Sequence, residues 1–184
     1  GKIKMKKTAI IYLSKTGFTK KYAQWTAEES GADIIPFSEA KKRRDKILTE
    51  YDSVVFGSRL IGGTINGLSK AKKLFYTGKI PFAVFVTGAT PIDAQDTAPT
   101  LKKMWEQNFT PAELDSIPHF YMQSGLSYEN MPFIEKQMMN AFKSMLKKKK
   151  GAEGISEGMA EVLGSSFDNS DKKFAAPLIQ WIKG

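Results

Sequence analysis

The sequence alternates short apolar runs with longer amphipathic segments, and this alternation constrains the fold more than any other feature. Consecutive apolar residues are typical of strands buried on both faces, and the segments between the runs have helical spacing. Strand and helix pairs of this kind form a parallel sheet covered by helices. Five strands are predicted, of which the second contains Pro36 and is expected at an edge; they cover residues 8–13, 33–37, 53–57, 82–87 and 119–123.

Helices are predicted in the intervals between these strands. The first covers about residues 18–30, with Gly31 as its left-handed cap, and the second about residues 66–78. A third places Leu101, Met104 and Trp105 on one face. The length of 184 residues fits a single domain, predicted here over residues 1–184.

The stretch of about residues 125–170 is too long for an ordinary connection and is predicted to be a helical insert. A helix over residues 132–150 is indicated by apolar side chains at helical spacing, namely Ile134, Met138, Phe142, Met145 and Leu146. A final helix is expected after the capping residues Asp168, Asn169 and Ser170. Its apolar face contains Phe174, Leu178, Ile179, Trp181 and Ile182.

Composition excludes several kinds of chemistry. The chain has no cysteine and one histidine, His119, so disulfides, thiolate nucleophiles, iron–sulfur clusters and Cys/His zinc sites are ruled out. No catalytic side chain and no metal site is predicted, and we expect a bound cofactor to supply any chemistry. The lack of cysteine, of a signal segment and of a long apolar run favours the cytoplasm. The net charge of +9 favours anionic partners.

A short polar loop follows the first strand directly and precedes the first helix. Backbone amides at a helix start bind anions, hydroxyl groups add hydrogen bonds, and a glycine allows close approach. The loop therefore predicts a site for a monophosphate group, formed by Ser14, Lys15, Thr16, Gly17, Phe18 and Thr19. The alternative is that Ser14 and Thr16 simply cap the helix.

The segment over residues 10–19, followed by Ala23, resembles the first strand, phosphate loop and first helix of the flavodoxin family. Thr26 departs from the pattern, since an aliphatic residue is usual there. The resemblance implies a flavodoxin-like α/β three-layer sandwich, with a five-stranded parallel sheet in the order 2-1-3-4-5. It also implies that FMN binds non-covalently at the carboxyl ends of the strands, with its phosphate held by residues 14–19.

Two further loops occur where that family holds the flavin ring. The first follows the third strand and contains Ser58, Arg59, Leu60, Ile61, Gly62 and Gly63. The second follows the fourth strand and contains Thr87, Gly88, Ala89 and Thr90. Glycines let the backbone contact a flat ring, and nearby amides can tune its electronic properties. The alternative is that these glycines are ordinary turn residues.

Two features depart from the electron-shuttling flavodoxins, which are acidic and usually stack an aromatic side chain on the flavin. This chain is basic, and neither ring loop has an aromatic residue, so a bound flavin is expected to lie open on one face. The resemblance implies electron transfer through FMN to a redox partner protein or a small-molecule substrate. A non-redox module that binds a phosphate ligand or a partner through the same loop is a further alternative.

The insert is similar in architecture to that of the menaquinone-dependent protoporphyrinogen dehydrogenase family, in the stretch 125–128 and in the basic, Met-rich helix. That resemblance implies an FMN-dependent dehydrogenase at the membrane surface. Its substrate would be a porphyrinogen or another flat, acidic, lipophilic molecule, with Arg59 and nearby lysines as carboxylate anchors. Six lysines and one acidic residue between positions 132 and 150 suit anionic headgroups. The alternative is that the helix packs on the domain through its apolar stripe. Nucleic acid is not an expected partner, because aromatic residues are not interleaved with the basic runs.

Overall fold

The computed structural model describes residues 6–93, 97–127, 129–148 and 166–184. Its main sheet has five parallel strands in the order β2-β1-β3-β5-β6, and β4 pairs antiparallel with β3. The predicted flavodoxin-like strand order 2-1-3-4-5 is confirmed, because β4 is an addition beside the five parallel strands. The strands are β1 (Thr8–Tyr12), β2 (Asp33–Pro36), β3 (Ser53–Ile61), β4 (Thr64–Ile65), β5 (Phe82–Gly88) and β6 (His119–Gln123).

Helices cover both faces of this sheet. Successive side chains of a strand point to opposite faces, so Ile10 and Ile11 belong to two different core clusters. Both are fully buried, which explains why the central strands are apolar at consecutive positions. The helices are α1 (Phe18–Ser30), α2 (Phe37–Lys42), α3 (Arg44–Glu50), α4 (Leu68–Phe75), α5 (Thr97–Asn108), α6 (Pro111–Ser116), α7 (Phe133–Lys148) and α8 (Ala176–Lys183), the last preceded by a 3-10 turn (Lys172–Ala175).

The third strand is longer than predicted. Ser58, Arg59, Leu60 and Ile61 were expected in a loop, whereas they continue β3 beyond Gly57. The reason is the short hairpin with β4, in which Leu60 pairs with Ile65 and Ile61 with Thr64. The central strand therefore carries Arg59 past the level at which its parallel neighbour β1 ends.

The insert leaves and rejoins the sheet region through a second small ladder. Strand β7 (Gly125–Leu126) pairs antiparallel with β8 (Phe167–Asp168). A Cβ atom at Gly125 would lie 2.0 Å from the Phe167 carbonyl oxygen, so this close approach needs glycine. Asp168 belongs to β8 and does not cap the final helix as predicted; Asp171 caps the 3-10 turn by accepting from the Lys173 amide at 2.9 Å.

The predicted helix over residues 132–150 corresponds to α7, which covers Phe133–Lys148. Lys149, Lys150 and the loop residue Tyr128 lie outside the described residues, as do the side chains of residues 146–148. In the described part of the chain, no helix has the length and the apolar content needed to span a bilayer.

Candidate functional site

A cavity of about 420 Å³ lies at the carboxyl ends of the parallel strands. Open α/β sheets bind ligands at this edge. The walls come from the phosphate loop, from the ends of β3 and β5, from the segment after β6 and from α7. The lining residues are Thr16, Phe18, Arg59, Leu60, Ile61, Gly62, Thr87, Gly88, Ala89, Ser124, Gly125, Leu126, Ser127, Met131, Glu135, Met138, Met139 and Phe142.

The predicted phosphate loop leaves the start of α1 without a capping side chain. Gly17 is the N-cap residue, its φ is 96°, and no side chain of the described chain accepts from a first-turn amide. Ser14 Oγ accepts a hydrogen bond from the Gly17 amide at 3.2 Å, which closes a tight turn. The alternative that Ser14 or Thr16 caps the helix is therefore wrong. The amides of the first turn, which lack acceptors within the helix, remain available to an anion.

A buried hydroxyl pair connects this loop to the end of β5. Thr19 Oγ1 lies 2.9 Å from Thr87 Oγ1, and both residues are almost fully buried. The Thr19 hydroxyl is thus paired within the protein, and its backbone amide belongs to the first turn of α1. Thr87, in contrast, also lines the cavity.

The loop after β3 is held from outside the cavity. The buried Ser58 donates to the Asn66 carbonyl at 2.5 Å, and Asn108 Nδ2 donates to the Gly63 carbonyl at 2.8 Å. Gly62 and Gly63 have φ values of 55° and 87°, so the turn between β3 and β4 requires glycine. Asn108 was missed by sequence reasoning, because its role depends on how α5 packs against β4.

The loop after β5 is fixed by side chains at the end of β6. The Tyr121 hydroxyl donates to the Thr90 carbonyl at 2.8 Å, and Gln123 Oε1 accepts from the Ile92 amide at 2.8 Å. Ser124 Oγ donates to the Gly88 carbonyl at 3.1 Å. Burial raises the pKa of Tyr121 to about 12, so this phenol remains a donor at neutral pH.

Helix α7 forms the remaining wall of the cavity. Met138, Met139 and Phe142 line it, together with Met131 just before the helix. The insert therefore folds back over the strand ends, and the expected open face of a bound flavin stays a prediction. The resemblance to the dehydrogenase family had implied a lipid- or substrate-facing surface for this Met-rich helix, and the structure brings Met138, Met139 and Phe142 of that surface into the cavity wall. The spacing of Met138 and Phe142 on one helical face was the available signal.

An ion pair joins α7 to β3 at the cavity. Arg59 Nη2 donates to Glu135 Oε1, and the two side chains are 12% and 19% exposed. Arg59 Nε is buried and has no hydrogen-bond partner in the described structure. The expected carboxylate anchor therefore already holds a carboxylate of the protein, while one of its donors stays unused.

A second cavity of about 450 Å³ adjoins the phosphate loop. Lys21 lies on its wall and pairs with Asp168 at 2.6 Å. Burial by itself would raise the pKa of Asp168, but hydrogen bonds from Lys21 and Ser170 outweigh it and lower the pKa. The lining residues are Thr16, Gly17, Phe18, Lys21, Leu126, Ser127, Ser166, Phe167 and Asp168.

The structure brings most of the predicted site residues to one edge of the sheet. Nine of them line the first cavity and Gly17 lines the second. The others support these walls or lie beside them, namely Ser14, Lys15, Thr19, Ser58, Gly63 and Thr90. His119 is at the opposite end of β6, where Nδ1 contacts the Ile117 carbonyl at 2.8 Å and the ring packs against Trp105.

The strand order and the position of the cavity define an open α/β sandwich with a ligand site at the carboxyl edge of its sheet. The sequence model of the family described as Flavodoxin domain matches residues 9–153. The chain therefore belongs to the flavodoxin domain family.

Several solved structures are similar to this chain at low sequence identity. A WrbA-like flavodoxin from Agrobacterium tumefaciens is 15% identical, with 72% of this chain and 89% of that chain covered and a TM-score of 0.41. An archaeal flavodoxin is 17% identical, with 72% and 90% covered and a TM-score of 0.41. The flavodiiron core of a Synechocystis protein is 17% identical, with 96% and 36% covered and a TM-score of 0.43. A comparison with curated proteins found no match.

Proposed function

We propose that this protein binds FMN non-covalently and transfers electrons through it. The observation that carries the proposal is the uncapped start of α1, with Gly17 in the left-handed region, directly beside the cavity at the strand ends. A phosphate monoester suits the free amides, since it accepts several hydrogen bonds and its charge is favourable at a helix N-terminus.

The residues of the cavity fit a flavin ring. Its volume of about 420 Å³ lies within the usual range of cofactor sites, about 300–1,000 Å³. Its walls are mainly apolar, and the guanidinium side chain of Arg59 adds a cation to them. Thr16 and Phe18 line both cavities, so the start of α1 adjoins the cavity at the strand ends. Bound FMN would supply the one- and two-electron chemistry that the side chains of this chain lack.

The test is a titration of flavin-free protein with FMN and with riboflavin, followed by the visible spectrum. We expect FMN to bind at least about tenfold more tightly, because one charge-assisted hydrogen bond contributes about 1.5–3 kcal/mol. The colour should bleach on reduction. Equal affinity for the two flavins would contradict the phosphate site, and rejection of both would favour the alternative of a non-redox module.

A second candidate function is direct oxidation of a small substrate, as in an FMN-dependent dehydrogenase. The apolar wall that α7 adds to the cavity favours it, because a shuttle needs only the ring edge to be accessible to a protein. Turnover of a reduced substrate with a quinone as acceptor, and with no protein partner present, would support this candidate. Reduction only through a protein partner would support the shuttle.

We also propose that the outward stripe of α7 contacts an anionic membrane surface. Phe133 and Ile134 are each 73% exposed, and Met145 is 48% exposed. Lysines outnumber acidic residues six to one between positions 132 and 150, which complements anionic headgroups. Exposed apolar side chains beside such charge are typical of helices that lie in a membrane interface.

Sedimentation with phosphatidylcholine vesicles, with and without phosphatidylserine, tests this contact. We expect binding only to the anionic vesicles, and loss of binding in the double variant Phe133→Ser and Ile134→Ser. Neutralising Lys41 and Lys42 with glutamine is the matched control and should leave binding largely intact. Sedimentation that is unchanged by the serine variant would rule the stripe out.

A further inference from the structure

The pair of Arg59 and Glu135 combines two properties that ordinary surface ion pairs lack. Both side chains lie in the wall of the first cavity, and both are mostly shielded from water. Most other ion pairs of the described chain are more exposed, for example Lys46 with Glu50, whose side chains are 60% and 45% exposed. Charges in this position act on a ligand with little screening by solvent.

The guanidinium of Arg59 is only partly used by the protein. Its Nη2 donates to Glu135, whereas Nε is buried with no acceptor in the described structure. A buried donor without a partner is unfavourable, and such groups in native proteins call for an explanation. The side chain lies in the wall of the first cavity, where a bound ligand can supply acceptors to the guanidinium.

We propose that Arg59 positions the flavin ring and stabilises its reduced form, and that Glu135 offsets part of the positive charge of Arg59. This inference rests on the proposed binding of FMN. The Arg59 guanidinium donates to a carbonyl oxygen or ring nitrogen of the flavin, and its positive charge favours the reduced ring over the oxidised one. Glu135 holds the guanidinium in place and offsets part of that charge.

The electrons and protons taken up on reduction determine whether Arg59 raises or lowers the midpoint potential of the flavin. Two electrons and one proton convert the oxidised ring into a reduced ring with one negative charge, and a second proton would make it neutral. A cation beside the ring stabilises the anionic form and raises the midpoint potential. A carboxylate beside that cation does the opposite. Because Glu135 belongs to α7, the insert contributes directly to the redox properties of the site.

Replacing Arg59 and replacing Glu135 should therefore shift the midpoint potential in opposite directions. A purely structural ion pair would not show this difference. Replacement Arg59→Met removes the cation and should lower the midpoint potential of bound FMN. Replacement Glu135→Gln keeps the shape of the side chain, leaves the cation uncompensated and should raise the potential. We expect about a tenfold change in the relative affinity for reduced and oxidised FMN in each case, which is about 30 mV for a two-electron couple.

The experiment is a spectroscopic redox titration of FMN-loaded protein, with dithionite as the reductant and an indicator dye as the reference. Wild type, Arg59→Met, Arg59→Lys and Glu135→Gln are compared. Arg59→Lys keeps the positive charge, so its midpoint potential should lie close to that of the wild type. The matched control is Glu50→Gln, which removes one negative charge at the end of α3, just before β3 begins. Thermal unfolding of the flavin-free variants verifies that each is folded.

A second readout is the pH dependence of the potential. Wild type should take up one proton for two electrons near neutral pH, and Arg59→Met should move toward two, because the anionic ring loses its cation. Shifts of the same sign in Arg59→Met and Glu135→Gln, or shifts no larger than that of Glu50→Gln, would overturn the proposal. Loss of FMN binding by the wild type would overturn the proposed function as well, so the two failures are distinguishable.

Discussion

Thr19, in the first turn of α1, forms a hydroxyl–hydroxyl hydrogen bond of 2.9 Å with Thr87, the penultimate residue of β5. The two residues are 68 positions apart in the sequence, and their hydrogen bond is buried. It joins the helix that starts at the predicted phosphate loop to the strand that leads into a predicted ring loop. The spacing between the two halves of the site is therefore set partly by one polar contact in the core.

This pair should behave as a unit in a double-mutant cycle. Thr19→Val or Thr87→Val alone leaves the other hydroxyl buried without its partner, and we expect each to destabilise the flavin-free protein by about 1–3 kcal/mol. The double variant removes both groups and should be much less destabilised than the sum of the two. Urea unfolding measures all four proteins. Additive effects would show that the hydroxyls do not depend on each other.

Gly17 and Gly31 provide a matched test of the phosphate loop. Both have positive φ, at 96° and 77°, and neither would place a Cβ against a neighbour. Alanine at either position costs roughly 1–2 kcal/mol of backbone strain. Gly17→Ala should also weaken FMN binding by about tenfold or more, because a shift that relieves the strain displaces the amides.

Gly31 caps the other end of α1, so Gly31→Ala should lower stability and leave the affinity for FMN unchanged. Flavin fluorescence quenching gives the affinities, and urea unfolding gives the stabilities. An equal loss of affinity in the two variants would mean that Gly17 acts through general stability.

Variants of Met139 and Met145 test whether α7 covers the bound cofactor, because the two side chains lie on different sides of the helix. Met139 lines the cavity, whereas Met145 is 48% exposed and lines neither cavity. Met139→Ala should open a path for solvent and increase quenching of the bound flavin by iodide, while Met145→Ala should not. Stopped-flow oxidation of the reduced protein by oxygen provides an independent measurement. Identical accessibility in both variants would exclude α7 as a cover of the cofactor.

Tyr121 should make stability depend on pH in the alkaline range. Burial raises its pKa from the ordinary value of 10 to about 12, so folding favours the protonated phenol. A contribution of this sign is fully present below pH 10 and is lost as the pH rises through 12. At pH 7, Tyr121→Phe should cost about 0.5–1.5 kcal/mol, since the bond to the Thr90 carbonyl is removed.

Above pH 10 the difference between the wild type and Tyr121→Phe should narrow, because only the wild type loses stability through this ionisation. Urea unfolding at pH 7 and pH 11 measures both differences. A stability difference that is the same at both pH values would contradict the raised pKa of Tyr121. Tyr51, whose pKa is likewise raised to about 12 by burial, contributes equally to both proteins.

The local pattern of the sequence was enough to predict the five parallel strands, and the resemblance to the flavodoxin family implied their order. Buried strands are apolar over their whole length, as in the run from Ala9 to Ile11, and this signal needs no knowledge of distant residues. Gly17 at the junction of β1 and α1 is equally local, because its positive φ is required by the turn itself. The extension of β3 to Ile61 was not predictable in this way, because it depends on pairing with β4.

The tertiary structure alone decided what surrounds the site. Arg59 and Glu135 are 76 positions apart, and nothing in either segment indicates that they pair. The same is true of Tyr121 and Thr90, and of the methionines of α7 that line the cavity. The periodicity of α7 shows that one face is apolar, but it does not say which surface that face meets. Local conformation follows from neighbours in the chain, whereas the direction in which an insert folds back is set by packing between distant segments.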